Sequence, residues 1–111
     1  MKNLKFLIAA VFMCLGLSSY AQTKTETIKV SGNCGMCQKH IEKAAKEAGA
    51  DKAKWDKKAK ILTVTYDASR SSNDAIQKKV ASVGYDTEKY PGDMNAYKAL
   101  DECCQYDGKK K

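Results

Sequence analysis

Two cysteines separated by two residues, Cys34 and Cys37, stand at the centre of the segment "KVSGNCGMCQKHIEKAA". The two-residue spacer lets both sulfurs turn toward one point. Paired thiols of this kind serve disulfide exchange, a structural metal site, or the binding and release of a thiophilic ion. Soft thiolates select Cu(I), Zn(II) and similar ions over hard cations. Two ligands leave coordination positions open for exchange, whereas a structural zinc site uses four.

The elements around this pair favour metal binding over redox exchange. Alternating polar and apolar residues over 25–30 predict a strand, and apolar residues at helical spacing from Cys37 up to Gly49 predict a helix. The N-terminus of a helix lowers the pKa of a nearby thiol. A thioredoxin-like redox site would need a longer chain and usually a cis-proline facing the thiols. The single proline, Pro91, instead follows the last predicted strand.

The middle of the chain predicts a hairpin and a second helix. In "KAKWDKKAKILTVTYD", Trp55 and the alternating apolar residues of "LTVTY" are predicted to face the core. "SSNDAIQKKVASVG" predicts a helix capped by Ser71 or Ser72, with Ile76 and Val80 in its buried stripe. "YDTEKY" predicts a short final strand. The order strand, helix, strand, strand, helix, strand indicates an α+β fold, the ferredoxin-like βαββαβ sandwich.

A short helical extension, residues 91–111, follows this domain. Asp93 is predicted to cap a helix that carries Leu100 and Cys104 at helical spacing. Adjacent cysteines on a helix diverge by about 100°, so Cys103 and Cys104 would not easily bind one ion together. Several alternatives stay open for the pair: one buried and one exposed thiol, a disulfide, or an extension that folds over the CxxC loop. In the last case Cys103 or Cys104 would supply a third or fourth thiolate, or a resolving thiol that protects Cys34 and Cys37.

The N-terminus has the pattern of a secretory signal peptide, residues 1–21. Lys2 and Lys5 precede an apolar run, small residues follow it, and cleavage is predicted after Ala21. The run is shorter than the roughly 20 residues that a membrane span needs. Cys14 is interpreted as a small hydrophobe of the removed segment. We therefore expect a periplasmic or secreted protein.

Size and charge narrow the remaining possibilities. The 111-residue chain has a formal net charge of +7. Without the signal peptide, 18 basic residues face 13 acidic ones, a net charge of about +5. Residues 22–90 suffice for one modest domain, which we expect to be monomeric. The basic residues are mostly lysines without interleaved aromatics, which argues against nucleic-acid binding.

Three segments carry a resemblance to a known family. "IKVSGNCGMCQKHIEKAAKEAGA", "LTVTYD" and "IQKKVASVGYD" resemble the heavy-metal-associated domain, over residues 25 to about 87. The resemblance implies a non-enzymatic metal-binding protein in which Cys34 and Cys37 are the ligands and Tyr85 packs beneath the binding loop. One departure is visible. "SGNC" is one residue shorter than the family's usual Gly-Met-Thr approach and lacks its Met, while Met36 falls between the cysteines.

The resulting hypothesis is an exported carrier that captures Cu(I), with Hg(II) or Zn(II) as alternatives. It would pass the ion by thiolate exchange to a membrane metal transporter or metal-transporting ATPase. Exposed lysines along the first helix would steer docking. Met36 is predicted to be an exposed spacer and His40 a solvated residue of the helix face. Two other classes stay open: a periplasmic thiol-disulfide protein, and a structural zinc domain that uses all four cysteines remaining after export.

Overall fold

The computed structural model describes residues 22–109. The predicted signal peptide, including Cys14, and the last two lysines lie outside the described residues. No helix among residues 22–109 combines the length and hydropathy needed to cross a bilayer. The elements in chain order are β1 Thr23–Lys29, α1 Gly35–Glu47, β2 Ala50–Asp56, β3 Ile61–Asp67, α2 Asn73–Ser82, α3 Met94–Ala99 and a 3-10 turn Glu102–Cys104.

The sheet is antiparallel, with β3 between β1 and β2. Leu62 of β3 lies opposite Ile28 of β1 and Trp55 of β2, and all three side chains are buried. The helices contribute Ile41 and Ile76 to the same core. Because alternate strand residues point to one face and helical residues recur every turn, the apolar pattern of the sequence produces this core. The α+β, ferredoxin-like fold is confirmed.

The predicted fourth strand is reduced to one isolated bridge, between Val30 and Thr87. The backbone N–H of Thr87 donates to the carbonyl of Tyr90 at 2.8 Å, so the chain turns instead of continuing along β1. The next N–H of β1, that of Lys29, donates to the carboxylate of Glu88 at 2.8 Å. A side chain and a turn thus take the hydrogen bonds that a longer strand would have used.

The helix caps agree with the sequence, whereas the extent of the last helix does not. Ser72 accepts a hydrogen bond from the N–H of Ala75, and Asp93 accepts one from the N–H of Ala96. The predicted helical spacing through Cys104 is wrong, because Leu100 adopts an extended conformation with ψ 153°. The chain then begins a separate 3-10 turn that contains both C-terminal cysteines, and this changes where their sulfurs point.

Candidate metal centre

The CxxC pair lies at the junction between β1 and α1. Cys34 is the N-cap of α1, in an extended conformation, and Cys37 follows in the first turn. Their Sγ atoms are 3.5 Å apart. The N–H of Asn33 also lies 3.5 Å from the sulfur of Cys37, within reach for a weak hydrogen bond. Both sulfurs therefore face the same point at the positive end of the helix, where negative charge is stabilised.

The loop that precedes Cys34 packs against the indole ring of Trp55. A Cβ on Gly32 would come within 2.9 Å of the ring of Trp55, so only glycine allows this close approach. Trp55 Nε1 donates to the carbonyl of Val30 at 3.0 Å, and the ammonium of Lys60 hydrogen-bonds the carbonyl of Gly32. The same ammonium lies 5.5 Å from the centre of the indole ring. Trp55 thus anchors the shortened loop that lacks the family's usual Met.

The C-terminal cysteines lie against this loop. The Sγ of Cys34 is 2.9 Å from that of Cys103 and 3.7 Å from that of Cys104. The sulfurs of Cys103 and Cys104 are 3.9 Å apart, so the predicted divergence of adjacent cysteines is wrong here. The prediction assumed that both cysteines lie on one α-helix, whereas α3 ends at Ala99 and the cysteines lie in the separate turn Glu102–Cys104. Among the described residues all four thiols are free.

Burial differs sharply among the four sulfurs. Cys37 and Cys104 are fully buried, Cys34 is half-buried, and Cys103 is exposed. Three of them, Cys34, Cys37 and Cys104, have sulfurs that all lie within 4.8 Å of one another. Solvent therefore reaches the cluster at Cys34 and Cys103, whereas Cys37 and Cys104 are shielded by the protein.

The hydrogen bond between Cys34 and Cys103 is the main cause that lowers the pKa of Cys34, to about 6. The backbone N–H of Cys37 adds a smaller contribution in the same direction. The same bond raises the pKa of Cys103, and burial raises the pKa of Cys104. In the structure the thiol of Cys34 donates to the sulfur of Cys103, and Cys103 becomes the donor once Cys34 has lost its proton. The sequence predicted a lowered thiol pKa from the helix N-terminus. The largest contribution instead comes from Cys103 in the C-terminal extension, residues 91–111, which we call the tail.

Tyr85 packs beneath the sulfurs, as the resemblance implied. Its ring is fully buried, and burial together with the nearby thiol of Cys104 raises the pKa of its hydroxyl. The hydroxyl lies 3.0 Å from Nδ1 of His40, which is half-buried. The prediction of a solvated His40 is therefore wrong, because the ring pairs with Tyr85. Met36 is 43% exposed, which confirms it as a spacer.

The sequence did not indicate how the tail is held in place. The hydroxyl of Tyr106 donates to the carbonyl of Gly84 and accepts from the N–H of Asp86, both at 2.8 Å. Lys109 forms a buried ion pair of 2.9 Å with the carboxylate of Asp86. A Cβ on Gly92 would come within 2.6 Å of the carbonyl carbon of Gly84, and one on Gly84 within 2.8 Å of the backbone nitrogen of Tyr97, so glycine at both positions lets the backbones approach. Tyr106, the one aromatic residue after "ECC", was the local signal.

Comparisons with known proteins bear on this site. A scan against protein-family models found no match. The "Mercuric transport protein periplasmic component" of Shewanella putrefaciens is 32% identical over 80 residues, which cover 70% of this chain and 88% of that protein.

Two solved structures are similar in fold. Oxidized MerP from Ralstonia metallidurans matches with a TM-score of 0.56 and 28% identity, over 60% of this chain and 94% of that chain. A protein from Bacillus anthracis described as copper-ion-binding also gives a TM-score of 0.56, at 29% identity, over 60% of this chain and 96% of its own. The identity and coverage of the Shewanella relative, together with this fold, show that the chain belongs to the heavy-metal-associated domain family.

Proposed function

We propose that the protein is an exported, non-enzymatic carrier that binds one thiophilic metal ion at Cys34 and Cys37 and passes it on by thiolate exchange. The observation that carries this proposal is the pair of sulfurs 3.5 Å apart at the N-terminus of α1. One of them, Cys34, is half-buried and the other fully buried. A carrier needs this combination, because one ligand must hold the ion while the other exchanges.

Exchange proceeds one ligand at a time. A thiolate from the acceptor protein forms a bond to the ion, and the bond to Cys34 then breaks. No electrons are transferred, and the proton lost by the incoming thiol is available to the sulfur that leaves. The lowered pKa of Cys34, about 6, supports a role as first ligand because its thiolate is present at neutral pH. Each step keeps the ion bound to sulfur, so the barrier stays low.

Cu(I) is the proposed ion, with Hg(II) next and Zn(II) last. Thiolates favour soft d10 ions, and an open site of few ligands suits Cu(I) and Hg(II) better than Zn(II), which takes four. The relatives are consistent with both soft ions, since one is a mercuric transport component and one is described as copper-ion-binding.

The proposed place of action is the periplasm and the proposed partner is a membrane metal transporter or metal-transporting ATPase. The Shewanella relative is named a periplasmic transport component, and residues 1–21 have the signal-peptide pattern. Lys39, Lys43 and Lys46 are exposed along α1, which begins at the site. A positive helix face beside the thiols would speed docking to an acidic partner surface.

Competition with a strong Cu(I) chelator tests the carrier role. The reduced chain from Gln22 onward should withdraw one Cu(I) from the chelator, and Cys34→Ser and Cys37→Ser should each lose this tight binding. Met36→Ala, which changes only the exposed spacer, is the matched control and should bind like the wild type. Cu(I) binding as tight as that of the wild type in both serine variants would contradict the proposal.

A thiol-disulfide function is the second candidate, because the sulfurs of Cys34 and Cys103 lie only 2.9 Å apart. Formation of a Cys34–Cys103 disulfide would release two electrons and two protons to an oxidised partner. Free-thiol counts in redox buffers and insulin-reduction turnover separate the two functions. Sustained turnover would favour the redox function, whereas thiols that bind Cu(I) and do not turn over would favour the carrier.

A further inference from the structure

We infer that Cys104 is a third thiolate ligand of the transported ion and that Cys103 stays outside its coordination sphere. This inference rests on the proposed function and makes it more specific. The cargo would be a three-coordinate soft ion, Cu(I) or Hg(II), bound by Cys34, Cys37 and Cys104. Domain and tail would then share the ion.

The distances among these sulfurs suit one ion. Three sulfurs each about 2.3 Å from a metal lie about 4 Å from one another. The Sγ atom of Cys34 is 3.5 Å from that of Cys37 and 3.7 Å from that of Cys104. All three Sγ atoms lie within 4.8 Å of one another. Changes of less than about 1 Å in these distances would give a trigonal site. The described part of the chain offers no other group of three or more metal-ligating side chains.

Cys103 does not fit the same ion. Its sulfur is 2.9 Å from that of Cys34, about 1 Å closer than two ligands of one ion come to each other. It is also exposed, whereas Cys104 is fully buried beside Tyr85. The two adjacent thiols thus have different roles: Cys104 faces the ion, and Cys103 hydrogen-bonds to the sulfur of Cys34 from the solvent side.

Buried hydrogen bonds and an aromatic contact hold the tail that carries Cys104. Tyr106, two residues further on, makes two buried hydrogen bonds of 2.8 Å to the chain on either side of Tyr85. The hydroxyl of Tyr97 donates to the carbonyl of Tyr106 at 2.6 Å, and the two rings pack edge to face. A ligand held in this way loses little freedom when it binds the ion, which favours affinity.

A third ligand changes how the ion leaves. An acceptor thiolate that replaces Cys34 would leave the ion still bound to Cys37 and Cys104. Release therefore requires a second acceptor thiolate that replaces Cys104, after which the bond to Cys37 breaks and the ion stays on the two acceptor sulfurs. The tail would make the carrier hold the ion more tightly than a two-cysteine site and give it up only to a partner with at least two thiols.

X-ray absorption at the copper edge, which counts sulfur neighbours, tests this inference on the reduced Cu(I)-loaded chain. The wild type and Cys103→Ser should show three Cu–S bonds, and Cys104→Ser should show two. In chelator competition, Cys104→Ser should lose affinity by about tenfold or more. Cys103→Ser keeps a hydroxyl that can hydrogen-bond to Cys34 and should lose less, and Met36→Ala, the control at an exposed residue outside the cluster, should stay within about twofold.

The outcomes separate this inference from the proposed function. Two sulfur neighbours in the wild type would overturn the third ligand without need of any variant, even if Cys104→Ser folds poorly. Equal losses in the two serine variants would also overturn it, because they would show no distinction between the adjacent thiols. If Cys34→Ser and Cys37→Ser bind Cu(I) like the wild type, the carrier function itself fails.

Discussion

The two halves of the sulfur cluster are held by different kinds of structure. Cys34 and Cys37 sit on a strand–helix junction whose elements follow from the local sequence. Cys103 and Cys104 lie in a short turn that is positioned by Tyr106 and its long-range contacts. The segment with Cys34 and Cys37 should be as stable as the domain. The turn with Cys103 and Cys104 should detach while the domain stays folded. Under the proposed function, the protein would combine a rigid primary site with a separable third ligand.

The largest effect is expected at the rigid half. Trp55→Ala removes a fully buried indole on which the Gly32 loop rests, and should lower the free energy of unfolding by about 3–5 kcal/mol. Urea denaturation measures the loss. Met36→Ala is the control, since this exposed side chain should cost almost nothing. A loss below about 1 kcal/mol for Trp55→Ala would show that the ring does not support the loop.

A smaller and more local effect is expected at the tail. Tyr106→Phe removes two buried hydrogen bonds of the hydroxyl, one from the N–H of Asp86 and one to the carbonyl of Gly84, at a cost of about 1–3 kcal/mol each while both groups stay buried. Detachment of the tail relieves this penalty because water then reaches both groups. Amide hydrogen exchange should accelerate at Cys104 and remain slow in β3.

Tyr90→Phe is the matched control for this change. The hydroxyl of Tyr90 bonds to Asp74 at the start of α2, away from the tail. It should leave exchange at Cys104 unaltered. Equal acceleration in β3 and the tail of Tyr106→Phe would contradict the separable tail, because it would show one cooperative unit.

The tail should also set the reactivity of Cys34. Below a pH of about 6 the thiol is protonated and alkylates slowly, and above it the thiolate reacts. Cys103→Ala removes the hydrogen bond that lowers this pKa most, so the midpoint should rise toward the ordinary value of about 8.5. Iodoacetamide rates against pH, with the adduct mapped to Cys34, measure the shift. An unchanged midpoint would mean that the helix N-terminus alone controls this thiol.

The smallest effect is expected from metal removal. The core formed by Ile28, Ile41, Leu62 and the residues around them contains no metal ligand except the cysteines at its edge. Far-ultraviolet circular dichroism should therefore change little when a chelator strips the loaded protein. Unfolding on chelation would favour a structural zinc domain instead, since such domains lose their fold without the ion.

The contrast between the halves also explains what the sequence could predict. The positions of β1, α1, the hairpin and α2 follow from apolar periodicity and caps such as Ser72. The place of the CxxC at the helix N-terminus follows from the same patterns. Local patterns could only leave a folded-back tail as one alternative, because Cys34 and Cys103 are 69 residues apart.

Two errors concern where secondary-structure elements end. The final strand became a single bridge because the backbone of Thr87 bonds to Tyr90 in a turn. The last helix stopped at Ala99, before the cysteines, although its apolar spacing continued. In the first case a local turn competed with strand pairing, and in the second the chain left the helix ahead of the buried Cys104 and Tyr106. Secondary-structure propensity alone contains neither preference.

The central claim, that this chain carries one soft metal ion on its cysteines, is tested most directly by native mass spectrometry. The reduced chain from Gln22 onward is mixed with equal amounts of Cu(I) and Zn(II). The account predicts a single species with one Cu(I) per chain and no zinc, and loss of the ion in Cys34→Ser. A chain that retains Zn(II) in preference to Cu(I), or that retains neither ion, would contradict it.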